Sequence, residues 1–275
     1  MPEPSTQHLA ADAYERYVST KIGMVARYEE ADYRRFAALY GHYLRGWLPC
    51  ENSASILDAG CGHGNALYAF AAWGYTNVDG VDLSAEQVDI ARTRFPQVVQ
   101  GDVFDVLEAH PEHYDLITAF DLIEHLNRDR GSMFLDRCLN ALRPGGRLIL
   151  QTPNAAALRA GTIVWGDITH ETAYSPSAIR QLLLLNGFSD VSFRETRPVA
   201  HGLKSTIRLV LWHTLRSLVA AWDQIENGHA QPVHTRNMLV TARRPDSGAE
   251  ESAATGVSTP PAFQNHPVTT SRTPS

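Results

Sequence analysis

The chain divides by the period of its apolar positions. Between Ala11 and about Trp47 they recur every three or four residues: Tyr14, Tyr17, Val18, Ile22 and Val25, then Phe36, Leu39, Tyr40, Tyr43 and Leu44. That spacing predicts two or three helices, stopped by Pro49. From Ser55 onward the rhythm changes, and short apolar runs alternate with helical patterns. Ile56–Leu57 enters a glycine loop and then a helix through Leu67, Phe70 and Ala71 that closes at Gly74. Val78–Asp82 reads as a second strand. Ser84 and Gln87 form a capping box over a helix carrying Val88, Ala91 and Phe95. Val98–Val99 and Tyr114–Phe120 are the third and fourth strands. A helix through Phe134, Leu135, Cys138, Leu139 and Leu142 is expected to end at Pro144-Gly145-Gly146, before a fifth strand over Arg147–Gln151. Ser175-Pro176 opens a further helix that closes at Asn186-Gly187. Phe188–Phe193 and Asn237–Ala242 complete the set.

Repeated strand–helix–strand alternation predicts an α/β fold with a Rossmann-like, mostly parallel seven-stranded sheet and helices on both faces. N-terminal helices precede it, and a helical insertion interrupts it before the last strand. The expected domains are a helical lid region over 1–50, a ligand-binding domain over 51–244 with its insertion at about 200–230, and a disordered tail over 245–275. The tail is rich in Ser, Thr, Pro and Ala and too poor in large apolar residues to order itself. Within the insertion, Ile207, Leu211, Leu215, Leu218, Trp222 and Ile225 share one helical face, with Ser205, His213, Arg216, Ser217 and Asp223 opposite. Burial of that apolar face against the domain is the expectation. A cap over an acceptor pocket, a homodimer contact and a peripheral membrane contact stay open, the last because Lys204, Arg208, Trp212 and Trp222 accompany the face.

Composition narrows the function without selecting it. A formal net charge of -6 disfavours nucleic acid as a partner, because nothing supplies a general excess of cations for phosphates. Cys50, Cys61 and Cys138 are odd in number and far apart, which reads as neither a disulfide framework nor a metal site. A reducing, cytoplasmic setting is expected. The N-terminal stretch lacks the apolar core of a signal peptide, and no apolar run reaches the ~20 residues of a membrane span.

Chemistry concentrates at the strand ends, where open α/β sheets bind ligands. Ile56 to Gly64 reads strand, glycine loop, helix start; its glycines let the backbone approach a ligand closely, with amides directed into the site. The loop is G-x-G-x-G with Asp58 before it. A dinucleotide fingerprint requires a third glycine where Asn65 stands, which speaks against a nicotinamide-dependent oxidoreductase. An acid at Asp58 suits an ammonium group better than a pyrophosphate. Asp82 ends the second strand, Gly101-Asp102-Val103 follows the third, and Phe120-Asp121 ends the fourth. Each acid alone reads as a turn or cap residue; three in register with one glycine loop form a nucleoside-site pattern.

The successive segments Leu57–Gly64, Asp82, Gly101-Asp102 and Leu142-Arg143-Pro144-Gly145-Gly146 resemble the motifs of class I S-adenosylmethionine-dependent methyltransferases, over roughly residues 50 to 195. Gln151-Thr152-Pro153-Asn154, Gly166–His170 and Tyr174-Ser175-Pro176 are similar to a branch that includes ubiquinone-biosynthesis and polysaccharide-modifying O-methyltransferases. The resemblance implies S-adenosyl-L-methionine as cofactor. Asp58, Ala59, Gly60, Cys61 and Gly62 would then hold its methionine part, Asp82 its ribose, and Asp102 with Val103 its adenine. Leu83 and Phe120 would flank the rings.

Methyl transfer from a sulfonium is an in-line displacement, so the enzyme must align acceptor and methyl group and exclude water. A hydroxyl acceptor must also lose its proton, for which histidine is suited near neutral pH. His170 and His125 are the candidates; the plainer reading of each is a helix cap or a backbone contact. Asp121, Glu124 and His125 offer metal-ligand atoms, but on a helix His125 would point about 100° from the face of the other two, so no metal is expected. Tyr14, Tyr17, Tyr28 and Tyr33 are read as helix packing, with a lid over the cofactor as the sharper reading. Arg27 is a candidate for the cofactor carboxylate. The leading acceptor is a sugar, glycan or lipid-linked intermediate, with a quinone or phenol as the alternative within the class. A non-catalytic partner protein with this fold is the third reading, disfavoured by the intact acids.

Overall fold

In a computed structural model, which describes residues 29–246, seven strands form one sheet in the order β3-β2-β1-β4-β5-β7-β6. The strands are β1 (Ser55–Ala59), β2 (Asn77–Asp82), β3 (Val99–Gln100), β4 (Tyr114–Phe120), β5 (Leu142–Pro153), β6 (Ser189–Glu195) and β7 (Asn237–Arg243). β1 to β5 run parallel to their neighbours, whereas β7 lies antiparallel between β5 and β6. The helices are α1 (Glu30–Tyr43), α2 (Asn65–Ala72), α3 (Ala85–Arg92), α4 (Val103–Ala109), α5 (Arg128–Ala141), α6 (Gly161–Val164), α7 (Pro176–Leu185) and α8 (Leu203–Asn227). A single 3-10 turn covers Ile123–His125.

Alternation along the strands builds a core on each face. Leu57, Ile117, Leu148 and Val240 pack with Phe134, Leu135 and Cys138 of α5 and with Ile179 and Leu183 of α7. Their neighbours Ile56, Leu116, Ile149 and Leu239 face the other way, against Tyr43, Leu44, Ala66 and Phe70 of α1, α2 and the turn after α1. Phe134 is fully buried, so its loss to Ala should cost ~3–5 kcal/mol. Because the five parallel strands end on one edge and antiparallel β7 begins there, that edge gathers the loops that matter for function.

The predicted sheet and its flanking helices are present, with three differences. The helix α5 stops at Ala141, and β5 begins at Leu142, pairing with Tyr114 before resuming at Arg147 opposite Leu116. Arg143–Gly146 is thus a bulge inside a strand: a Cβ on Gly146 would meet the Arg143 carbonyl at 2.7 Å, so only glycine lets the chain fold back so tightly. Helices α4 and α6 were not foreseen, being too short to show a period. The third difference is α8. Its apolar face is not buried: Leu211, Leu218, Trp222 and Ile225 are 63%, 65%, 68% and 87% exposed, and Ser205 is its one buried residue. The mixed face packs inward instead, where Arg216 and Trp212 bond the Glu195 carboxylate. Among the described residues no helix is long and apolar enough to cross a membrane. The helices expected before Glu29, with Tyr14, Tyr17, Arg27 and Tyr28, and the tail beyond Asp246 lie outside the described residues.

Candidate functional site

The glycine loop turns directly off β1. Gly60, Gly62 and Gly64 have φ of +71°, +54° and +91°, the left-handed region that side chains disfavour. Gly60 and Cys61 donate their amides to the Val81 carbonyl, which ties the loop to the end of β2. Asp82 completes the tie: Oδ2 accepts from the Gly62 amide at 2.8 Å and Oδ1 from the Ser84 amide at 2.9 Å. Burial pushes the Asp82 carboxyl up, and those two amide hydrogen bonds pull it down.

Asp58, on β1 beside Thr118 of β4, is 2% exposed and accepts a 2.7 Å hydrogen bond from the Thr118 hydroxyl. Burial, opposed by that hydrogen bond and reinforced by the Asp82 charge, pushes its carboxyl up to about 7. Asp102 follows β3, whose Gln100 lies in register with Asp82. It caps α4 through the Phe104 amide and meets Arg130 at 3.3 Å. The three acids thus follow consecutive neighbours β1, β2 and β3 along one sheet edge. Ala59 and Cys61 are buried beneath the loop, Val103 is buried at the start of α4, and Leu83 is 55% exposed beside Asp82.

Helix α1 lies over this edge. Tyr33, 1% exposed, donates to the His63 carbonyl. Phe36 and Tyr40 stack on each other, and both rings pack against Phe120. Tyr40 donates to Gln151 Oε1, whose amide nitrogen reaches both oxygens of Asp121. Burial, then the Asp121 charge, raises the Tyr40 phenol well above its ordinary value and keeps it a donor. The Phe36–Tyr40 pair and Thr118 carried no sequence signal of a role here, and Gln151 stood out only as the first residue of the motif Gln151–Asn154. Their periodicity reads as ordinary core, and only the fold sets them together.

Beyond β4 the chain departs from the helix assumed in the sequence. Asp121 has φ of +54°, and Glu124 and His125 sit on the 3-10 turn. The assumption that His125 points away from Glu124 therefore fails: ligand atoms of Glu124, His125 and His170 all lie within 4.8 Å of one another. The two imidazoles meet edge to face at 4.7 Å between ring centres. His170 Nδ1 lies 2.8 Å from the Val164 carbonyl, and His125 Nδ1 faces the Thr169 carbonyl and hydroxyl at 3.2 and 2.9 Å. Carbonyls only accept, so in the neutral form of each ring Nδ1 carries the proton and Nε2 the lone pair. Glu124 is 1% exposed, and neither carboxylate oxygen has a hydrogen-bond partner among the described residues. Burial, then the Asp121 charge, raises its carboxyl well above the usual range, against weaker downward pulls from its own backbone amide and the nearby Thr152 hydroxyl, neither of which reaches hydrogen-bond geometry. A buried carboxylate without donors is costly unless a proton or a cation compensates it.

A cavity of 730 Å³ opens farther along the same edge, under α8 and beside the starts of β7 and α6. Thr162 and Ile163 of α6 line it together with Arg159, Arg236, Trp212 and Arg216. α6 therefore touches both places: its Val164 carbonyl holds His170 while its preceding residues face the cavity. The volume is within the ~300–1,000 Å³ range of small-molecule sites.

A family model described as a methyltransferase domain matches residues 28–192. The chain is 30% identical over 154 residues to the mitochondrial ubiquinone biosynthesis O-methyltransferase of Rattus norvegicus, covering 49% of this chain and 44% of that protein. It thus spans less than half the length of that curated relative. A SAM-dependent methyltransferase from Archaeoglobus fulgidus aligns with a TM-score of 0.56 at 21% identity, over 85% of this chain and 99% of that one. A phosphoethanolamine N-methyltransferase of Haemonchus contortus, solved with S-adenosylhomocysteine and phosphomonomethylethanolamine, aligns at 0.52 and 18% identity, over 78% and 53%. The two structural likenesses establish the fold alone.

Proposed function

Given that the chain belongs to the methyltransferase-domain family, as a class I enzyme that uses S-adenosylmethionine, we propose that it methylates a hydroxyl oxygen of a small phenolic or quinol-like acceptor. The observation that carries the cofactor half is the alignment of Asp58, Asp82 and Asp102 along one edge, around Gly60–Gly64. In this reading Asp82, already fixed by two backbone amides, takes the ribose hydroxyls. Asp58 to Gly62 frame the methionine part, and Asp102 with Val103 meets the adenine. Leu83 and Phe120 supply apolar flanks for the rings. The phenolic alternative is favoured over the sugar or glycan acceptor by the O-methyltransferase relatives, which are named for ubiquinone biosynthesis.

The acceptor oxygen is set against the Glu124–His125–His170 cluster. A lone pair on that oxygen forms the new C–O bond as the C–S bond breaks, and S-adenosylhomocysteine leaves. The hydroxyl proton passes to His170 Nε2, the basic nitrogen left by the bond from Nδ1 to Val164. α1 covers the edge and keeps the sulfonium from water. A second reading is favoured by the unpartnered Glu124 carboxylate: the same three side chains hold a divalent cation that lowers the pKa of the acceptor hydroxyl.

A panel of catechols, hydroquinones and polyols incubated with enzyme and S-adenosylmethionine, read by mass spectrometry, tests the acceptor class. Methylation of polyols alone would refute the phenolic assignment. Activity lost on exhaustive chelation and restored by one divalent ion selects the cation; activity indifferent to chelation selects the histidine base.

A further inference from the structure

Sixteen large apolar residues are strongly exposed among the described residues, and eight of them lie on α8: Leu203, Ile207, Val210, Leu211, Leu215, Leu218, Trp222 and Ile225. At 100° per residue they fall on one face, with Thr214 and Ala221 between them and Ser205, Leu209, Trp212, Arg216, Val219 and Asp223 on the inward side. The stripe runs about 33 Å from Leu203 to Ile225 at 1.5 Å per residue. With each side chain presenting on the order of 100 Å², it exposes roughly 800 Å², more than the ~300–600 Å² patch of an ordinary monomer. That area equals about one partner's share of a standard protein interface.

We propose that this face is covered by a second copy of α8, in an antiparallel, two-fold symmetric homodimer. The charges specify the arrangement. Lys204 and Arg208 are exposed on one flank at the amino end of the stripe, and Glu226 is exposed on the same flank at its carboxyl end. Neither cation makes an ion pair among the described residues. An antiparallel pair related by a two-fold axis places like flanks together in opposite directions, so with Thr214 at the axis Lys204 of each copy lies about 3 Å along the helix from Glu226 of the other, and Arg208 about 9 Å. A parallel pair would leave Lys204 and Arg208 at one end and Glu226 about 30 Å away at the other, with no charge complementarity between the copies. Centred on Thr214, the stripe pairs Leu203 with Ile225, Ile207 with Ala221 and Val210 with Leu218, and the small Thr214 and Ala221 allow close approach. Acidic residues at one end and a whole-chain charge of -6 fit an anionic bilayer poorly.

The inference goes beyond the proposed reaction and has a consequence for it. The inner side of α8 roofs the 730 Å³ cavity through Trp212, Arg216 and Val219, and Leu215, at the margin of the stripe, also lines it. A partner clamped on the outside fixes that roof.

The test uses the full chain with Cys50→Ser, since Cys61 and Cys138 are buried. Light scattering at micromolar concentration is expected to give a dimer. Leu211→Glu with Leu218→Glu, both at exposed sites, should raise the dimer dissociation constant at least 100-fold and leave the melting curve of the monomer unchanged. Glu226→Lys should weaken the dimer, and adding Lys204→Glu with Arg208→Glu should restore it. Thr214→Cys, beside the two-fold axis, should cross-link on mild oxidation, whereas Leu203→Cys should not. A monomer at all concentrations overturns the proposal. So does efficient cross-linking through Leu203→Cys, or a monomer that floats with phosphatidylglycerol vesicles through the same leucines.

Discussion

The sheet edge at β1 to β4 and the edge at β5 to β7 solve different problems in different ways. Around the glycine loop, the geometry is held by backbone groups: three positive φ values, two amides on Asp82 and two on the Val81 carbonyl. Around Glu124, His125 and His170 the groups come from two segments, the turn after β4 and the loop after α6; the two imidazoles lean on backbone carbonyls, and the buried carboxylate has no hydrogen-bond partner among the described residues. The first region is finished without its ligand. The second carries an unpaid electrostatic debt that only a proton, a cation or a substrate can settle. In the proposed reading, a cofactor of fixed chemistry would suit the rigid backbone cradle, and the acceptor would meet the side-chain cluster.

Substitutions can separate the two regions. Asp82→Ala should do the most damage, since two charge-assisted hydrogen bonds worth ~1.5–3 kcal/mol each order the loop even before ribose binds. Calorimetry should show S-adenosylmethionine affinity down at least 100-fold; affinity within three-fold would remove Asp82 from the cofactor site. His170→Ala should act on the other region alone, lowering turnover by ~10²-fold with cofactor affinity nearly unchanged. A variant losing affinity and turnover equally would merge the two regions.

Asp58→Asn should lower cofactor affinity by roughly ten-fold, one charge-assisted contact at the methionine end. It should also change the stability of the unliganded protein in a pH-dependent way. A carboxyl raised to about 7 in the folded state holds its proton more tightly there than when unfolded. The wild type therefore loses stability as pH rises from about 4 to about 7. The amide cannot ionise, so the variant should melt well above the wild type at pH 8, by less at pH 5, and close to it at pH 3. Equal melting points at pH 8 would show that Asp58 ionises without strain. Tyr40→Phe should give the smallest effect, ~1 kcal/mol from the lost bond to Gln151, seen as a drop of a few degrees in melting temperature.

Legibility in the sequence followed the same division. The placement of glycines 60, 62 and 64 and of the acids at 58, 82 and 102 was legible because it depends on local conformation and strand ends, which periodicity reveals. His125 and His170 were both named, yet their meeting was not, because Asp121 takes a left-handed turn that no pattern of apolar residues encodes. Tyr40 and Phe36 looked like core residues, and packed aromatics differ from a lid only through what lies beneath them. The apolar stripe of α8 was read correctly as a stripe and wrongly as buried. Periodicity shows that a face needs cover, not whether the same molecule provides it. The bulge at Arg143–Gly146 was mistaken for a helix end because Pro-Gly-Gly breaks both structures.

The antiparallel insertion of β7 has a consequence for how this protein can change. β6 leaves the sheet and β7 re-enters it at the same rim, and the two points are stitched together: the Thr196 amide bonds the Thr235 hydroxyl, and the Thr196 hydroxyl bonds the Asn237 carbonyl. Everything from 197 to 234 is therefore an excursion that starts and finishes in one place. Apart from its two ends, where Tyr43 bonds the Arg197 carbonyl and Val233 is buried in the core, such a segment is an exchangeable cartridge, one that evolution or an engineer can lengthen, shorten or replace while the hairpin and the glycine loop stay as they are.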